Sequence, residues 1–299
     1  MHASLDDDSL LSASPLLDGL RAAAPSLRRR VPQQDESSRW HALRIGERAY
    51  RAALPITLTP YASVRPCSAR CGFCSENLRQ HRGGPAAATL RPGPDYFAQL
   101  RVALQLLHGV PLSYSLSGLE MTDDPDWLQT LLQTLATTPD GPCVEQRVLY
   151  SNGAGLARAR GAQLLDALVD FGLSWIELSR HHPLQAGNDA IMRFRPDEPI
   201  ADAAIFARTA QRIAARLPVR LVCIVQRGGV DCADGVAQYI AWARRCGATQ
   251  VIFRELSRLD DAYRNNGTWR YIAQHRIGME SLLADCMQQH GGRVGKPTA

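Results

Sequence analysis

The sequence predicts an α/β fold, a partial (β/α)6 TIM-like barrel of parallel strands with an N-terminal extension and a short C-terminal tail. Three observations lead to it. From Pro55 onward, short β-rich runs alternate with longer stretches whose apolar residues recur every three or four positions, the rhythm of right-handed βαβ crossovers. Six such strands can be drawn, where a closed barrel of this kind has eight. Polar residues follow the strands, and parallel barrels gather their chemistry at that C-terminal rim.

Taken in order, residues 1–51 have mixed polarity, with a helix predicted over 15–30 and nothing tied to chemistry; they form the N-terminal extension. The barrel occupies 52–260. Its strands are predicted near 56–61, 112–117, 147–151, 175–179, 219–225 and 250–254, and its helices over 96–108, 127–135, 162–171, 201–216 and 236–246. Residues 261–299 are the tail, where Asn265, Asn266 and Gly267 signal a turn before a final helix. With 299 residues, 45% of them hydrophobic, the chain can bury one large core.

Composition excludes several classes. Lys296 is the sole lysine, so Schiff-base, pyridoxal-phosphate and P-loop chemistry, all of which need a lysine amine, are disfavoured. The net charge is only +5 and the arginines are scattered, apart from Arg28, Arg29 and Arg30, so no nucleic-acid partner is expected. No apolar run approaches membrane-spanning length, so no membrane partner is expected either. Residues 1–10 carry Asp6, Asp7 and Asp8 in place of a secretory signal. A cytoplasmic location follows, where cysteine clusters serve metals or catalysis more often than disulfides.

The first strand leads into Cys67-Ser-Ala-Arg-Cys71-Gly-Phe-Cys74, a C-x3-C-x2-C spacing that gathers three thiolates. Thiolates are the ligands of iron–sulfur clusters. Three of them leave the fourth iron of a [4Fe-4S] cubane open to a substrate or cofactor. A zinc site with His81 as fourth ligand is the alternative, although zinc sites usually present two short cysteine pairs.

With Phe73 as the aromatic, this C-x3-C-x-aromatic-C loop resembles the signature of the radical S-adenosylmethionine (radical SAM) superfamily, over roughly residues 55–259. The resemblance implies that the open iron binds S-adenosyl-L-methionine and that one electron cleaves it to a 5′-deoxyadenosyl radical, which abstracts hydrogen from substrate. It also implies a reductant such as flavodoxin or ferredoxin. Ser117-Gly118-Leu119-Glu120 resembles the family's Gly-Gly-Glu-Pro segment, with Leu119 and Met121 in place of Gly and Pro; Glu120 would take the methionyl ammonium. Tyr150-Ser151-Asn152-Gly153 is similar to the family's Thr-Asn-Gly, whose polar groups lie beside the cofactor. Taken alone, Gly153-Ala-Gly155 is half a dinucleotide fingerprint, with Arg158 where the third glycine belongs. Ser179, with Arg193 or the nearby Arg195, would hold the cofactor's carboxylate and ribose.

Substrate contacts are expected from Glu177, Arg180, His181, Arg254 and Glu255 at or near strand ends. Strand alternation puts Glu177 on the same side as Ser179. The remaining cysteines lack metal spacing and are expected to be buried free thiols. The expected activity is radical chemistry on a small polar substrate of sugar, nucleoside or amino-acid type. The alternatives are modification of a peptide, or a non-catalytic iron–sulfur redox protein, which would normally ligate all four irons.

Overall fold

A computed structural model describes residues 40–60, 66–74, 92–259 and 266–291. It opens with an antiparallel hairpin of β1 (Trp40–Ile45) and β2 (Arg48–Ala53), turning at Gly46 with φ +58°. β3 (Ile56–Leu58) begins the main sheet. There follow α1 (Tyr96–Leu106), β4 (Pro111–Leu116), α2 (Pro125–Thr137), β5 (Cys143–Ser151), the short α3 (Ala154–Ala157), α4 (Gly161–Asp170) and β6 (Trp175–Ser179). Then come α5 (Gln185–Met192), α6 (Ala203–Ala214), β7 (Val219–Val225), α7 (Ala233–Arg245), β8 (Gln250–Glu255), α8 (Gly267–His275) and α9 (Met279–Gly291). Strands β3 to β8 pair in sequence order and all in parallel. The predicted partial barrel is therefore the observed fold.

Alternation along each strand separates two faces. In β4, Leu112, Tyr114 and Leu116 are buried, while Ser113 and Ser115 on the other face are half-buried. The apolar face packs against the helices: Leu128 and Leu131 of α2, Leu164 and Leu168 of α4, Phe206 of α6 and Trp242 of α7 all join its core. Helix starts follow local chemistry. Asp202 accepts from Ile205 N (2.7 Å) to cap α6, and Asn266 accepts from Trp269 N (2.9 Å) to cap α8. Each cap satisfies a backbone donor that the helix cannot.

The helix predicted over 15–30 lies outside the described residues. The hairpin escaped the sequence because its strands are mostly exposed on both faces, which erases the period-two apolar signal. Helix α5 escaped for a similar reason: Gln185, Gly187, Asn188 and Asp189 dilute its short apolar stripe. The tail contains two helices where one was expected. Among the described residues, no helix is long and apolar enough to cross a membrane.

Candidate cluster and cofactor site

The cysteine loop is zipped onto the chain leaving α5. Ala69 bridges Phe194 in antiparallel fashion, Arg70 N donates to Arg193 O (3.1 Å), Gly72 N to Ile191 O (3.0 Å) and Arg195 N to Ser68 O (2.9 Å). The Arg195 guanidinium also donates to the carbonyls of Pro66 (2.5 Å) and Cys67 (3.0 Å). These bonds fix the backbone from which the three half-buried thiols project. Burial pushes the Cys67 thiol up to about 12, with the Glu120 carboxylate adding to the effect. Cys71 is raised too, first by burial and then by Cys74 and Cys67. Three thiols that oppose one another's ionisation, in a partly desolvated loop, are a donor set that a cationic iron–sulfur core would stabilise as thiolates. Among the described residues, no three His, Cys, Asp or Glu side chains close on a single ion; a cubane would spread its thiolates over separate irons. His81 lies outside the described residues.

Beside this loop, Gly118 (φ +116°) and Leu119 (φ +52°) turn the chain through the left-handed region. Leu119 thus adopts the conformation that a glycine would take freely. Leu119→Gly is expected to stabilise the protein or leave it unchanged, by up to about 1 kcal/mol, in urea unfolding; a loss beyond that would mean the leucine side chain contributes more packing than its backbone costs.

The turn delivers Glu120 into a site where it is 1% exposed. Its Oε1 accepts from Thr122 N (3.1 Å), Thr122 Oγ1 (2.6 Å) and Ser151 Oγ (2.7 Å), and its Oε2 from Asn152 N (2.5 Å). Burial still raises its carboxyl above the usual range, against the pull of those donors. The sequence assigned this carboxylate to an incoming ammonium. The structure gives it four donors from its own chain, which tie the end of β4 to the end of β5. Ser151 is used up in the same way, donating to Glu120 and accepting from Gly153 N (2.8 Å). Asn152 carries the tie onward to the cysteine loop, donating to Ser68 Oγ (3.0 Å) and toward Cys67 Sγ (3.7 Å). Asp123 completes it by accepting from Ser68 N (2.7 Å) and pairing with Arg158 (2.8 Å). Arg158, which breaks the dinucleotide pattern, is thus a structural partner.

A cavity of about 410 Å³ adjoins the loop, lined by Arg70, Cys71, Gly72, Arg193 and the start of α8. A Cβ on Gly72 would lie 2.6 Å from the Tyr271 ring, so glycine permits this close approach. The Arg193 guanidinium lies 5.8 Å from the centre of the same ring, and no carboxylate among the described residues pairs with it. Of the two candidate arginines, Arg193 therefore faces the cavity and Arg195 braces the loop. Ser179 ends β6, half-buried on the inner face of the sheet.

That inner face carries several polar side chains among apolar ones such as Val148, Val222 and Ile252. The buried Glu177 pairs with Arg254 (2.7 Å) and receives the indole N–H of Trp175 (3.4 Å). Arg254 lies over Tyr150 (5.8 Å), and Arg220 stacks on Trp175 (3.7 Å). Trp175 and Arg220 were not singled out in the sequence, and Tyr150 only as the start of its motif; the signal was cross-strand register, which aligns Tyr150 with Glu177 and Glu177 with Arg220.

The other three expected substrate contacts, Arg180, His181 and Glu255, have partners within the chain. Arg180 follows Ser179 and so points the opposite way. Its guanidinium sits in the helix layer over Phe206 (4.9 Å) and Trp242 (6.0 Å), with Nε donating to His182 O (3.3 Å). His181 is buried, with Nδ1 accepting from Ile224 N (3.0 Å) and its ring against Phe73 (4.8 Å between centres, nearly perpendicular). Burial, then the charge of Arg180, lowers its pKa to about 3. The ring therefore stays neutral near pH 7 with its proton on Nε2, and it packs beneath the cysteine loop. Glu255 pairs with Arg276 and accepts from Met279 N (3.0 Å), which clamps the tail helices. Of the other cysteines, Cys223 and Cys246 are buried as expected, whereas Cys143 and Cys232 are exposed.

No protein-family model matches the chain, and no curated protein does. Solved structures do. Coproporphyrinogen III oxidase (HemN) from Escherichia coli, described as a radical SAM enzyme, superposes with a TM-score of 0.53 at 12% identity, over 80% of this chain and 52% of that one. The enzyme anSMEcpe, with bound AdoMet and Kp18Cys peptide, gives 0.52 at 13% identity, over 73% and 55%. SuiB of Streptococcus suis bound to S-adenosylmethionine gives 0.47 at 16% identity, over 79% and 48%. The chain spans about half the length of these structures. With six parallel strands in sequence order and the cysteine loop after the first of them, the chain has the fold of radical SAM enzymes.

Proposed function

We propose that the chain is a radical SAM enzyme, holding a [4Fe-4S] cluster on Cys67, Cys71 and Cys74 and acting on a small polar substrate of sugar, nucleoside or amino-acid type. The observation that carries this is the C-x3-C-x-aromatic-C loop, its three thiols set at the C-terminal rim of a parallel half-barrel. When bound, the cluster supplies the electron that cleaves S-adenosyl-L-methionine to the 5′-deoxyadenosyl radical. The chain's own residues do the rest. Arg195 and the strip of backbone bonds hold the loop still. Arg193 offers a forked cation to the cofactor's carboxylate, with Ser179 close to its ribose. Phe73 and His181 make the floor under the loop.

The inner face suits a polar substrate. A closed barrel fills this face with branched apolar side chains, whereas here Ser113, Ser115, Tyr150, Glu177 and Arg254 share it with Val148, Val222 and Ile252. Glu177, already paired, would orient substrate through the exposed Arg254 and Tyr150. A peptide substrate is the second reading, favoured by the bound peptide in anSMEcpe. Flavodoxin or ferredoxin would supply the electron.

After anaerobic reconstitution, the wild-type chain is expected to carry about four irons and four sulfides. S-adenosyl-L-methionine is expected to change the electron paramagnetic resonance spectrum of its reduced cluster, and Cys71→Ala to lose most of the iron. Full loading of Cys71→Ala, or a loaded cluster indifferent to S-adenosyl-L-methionine, would count against the proposal.

A further inference from the structure

We infer that Asn152 tunes the reduction potential of the cluster, by pointing its side-chain amide N–H at the sulfur of Cys67. This rests on the proposed function. The orientation of the amide follows from its partners. Oδ1 accepts from Ala154 N (2.9 Å), and a backbone N–H can only donate, so Nδ2 must be the atom facing Cys67 Sγ at 3.7 Å and Ser68 Oγ at 3.0 Å. The residue is 6% exposed, and its backbone N is anchored on Glu120 Oε2 (2.5 Å). Four bonds at three of its atoms hold the residue in place. It cannot swing away when the electron arrives.

Cys67 Sγ also accepts from Ala69 N (3.4 Å). That donor belongs to the backbone and accompanies any side chain at position 69. The Asn152 amide, by contrast, is a side-chain donor to the sulfur, which a substitution can remove. Its N–H dipole stabilises negative charge on a thiolate, and the reduced cluster carries one more electron than the oxidised one, so the bond favours the reduced state. Asn152 thus makes the cluster easier to reduce. It is a positioning and tuning residue that touches a ligand of the cluster and not the substrate.

The test is a redox titration of the anaerobically loaded protein, without S-adenosyl-L-methionine, followed by electron paramagnetic resonance of the reduced cluster. Asn152→Leu, close in size but with no donor, is expected to give an about tenfold smaller ratio of reduced to oxidised cluster at a fixed potential, a negative shift of about 59 mV for one electron. Asn152→Ser, whose hydroxyl can still accept from Ala154 N but is too short to reach Cys67, is expected to shift the same way and carries the test should the leucine variant not load. Ser68→Ala keeps the amide and removes its competing acceptor, so its midpoint is expected to stay or rise. A purely structural role would change iron content and leave the midpoint alone. Loaded Asn152→Leu or Asn152→Ser protein with the wild-type midpoint overturns this inference and leaves the proposed function standing. A wild-type chain that assembles no four-iron cluster overturns both.

Discussion

Replacing Glu120 by alanine is expected to cost about 3–5 kcal/mol of stability, the loss that follows removal of one partner from a buried, charged hydrogen-bond network. The carboxylate is the common acceptor for two backbone N–H groups and two hydroxyls from the ends of two strands. Alanine would leave all four facing a void with little access for water. Glu120→Gln is expected to lose less, because one amide oxygen can still serve the three donors on Oε1, while its NH2 would oppose the N–H of Asn152. Urea unfolding of the metal-free protein reads both variants against wild type. A Glu120→Ala loss under about 1 kcal/mol, the size of a single ordinary hydrogen bond, would mean that the carboxylate is not the tie described here.

Gly155→Ala is expected to cost about 3 kcal/mol or more, by overpacking. A Cβ there would fall 1.8 Å from the carbonyl oxygen of Thr122 and 2.5 Å from its carbon, so the neighbour that must yield is backbone. Gly155 N also donates to Thr122 Oγ1 (3.0 Å), the hydroxyl that serves Glu120. The substitution therefore pushes the turn after β4 away from the end of β5 and disturbs the same network. Gly267→Ala is the control, since a Cβ there meets nothing within 4 Å. Equal thermal unfolding midpoints for the two variants would contradict the close approach.

The strands were legible through local signals: alternation in β4 and a near-continuous apolar run in β7. The hairpin and α5 were not, since an exposed strand pair and a polar one-sided helix leave almost no periodic trace. At the site, legibility followed the reach of the information. The cysteines are fixed by local spacing, and Glu177 by alternation two residues from Ser179. Arg180 could be placed by the same alternation, and its outward course into the aromatic layer of α6 and α7 is what that rule dictates. Glu255 could not, because its partners Arg276 and Met279 lie more than twenty residues on and are brought to it by the packing of the tail. Glu120 shows a third limit. Its motif singles out the carboxylate, but two of the four donors on it come from Ser151 and Asn152, a neighbouring strand away.

In the proposed function, the three-cysteine loop supports reductive cleavage of S-adenosyl-L-methionine. The most direct measurement reconstitutes the chain anaerobically with iron and sulfide, reduces it, adds S-adenosyl-L-methionine, and follows methionine and 5′-deoxyadenosine by mass spectrometry, with Cys71→Ala in parallel. Both products are expected above the level of the variant; a wild-type preparation with its cluster confirmed intact that yields no more of either than Cys71→Ala would contradict the account.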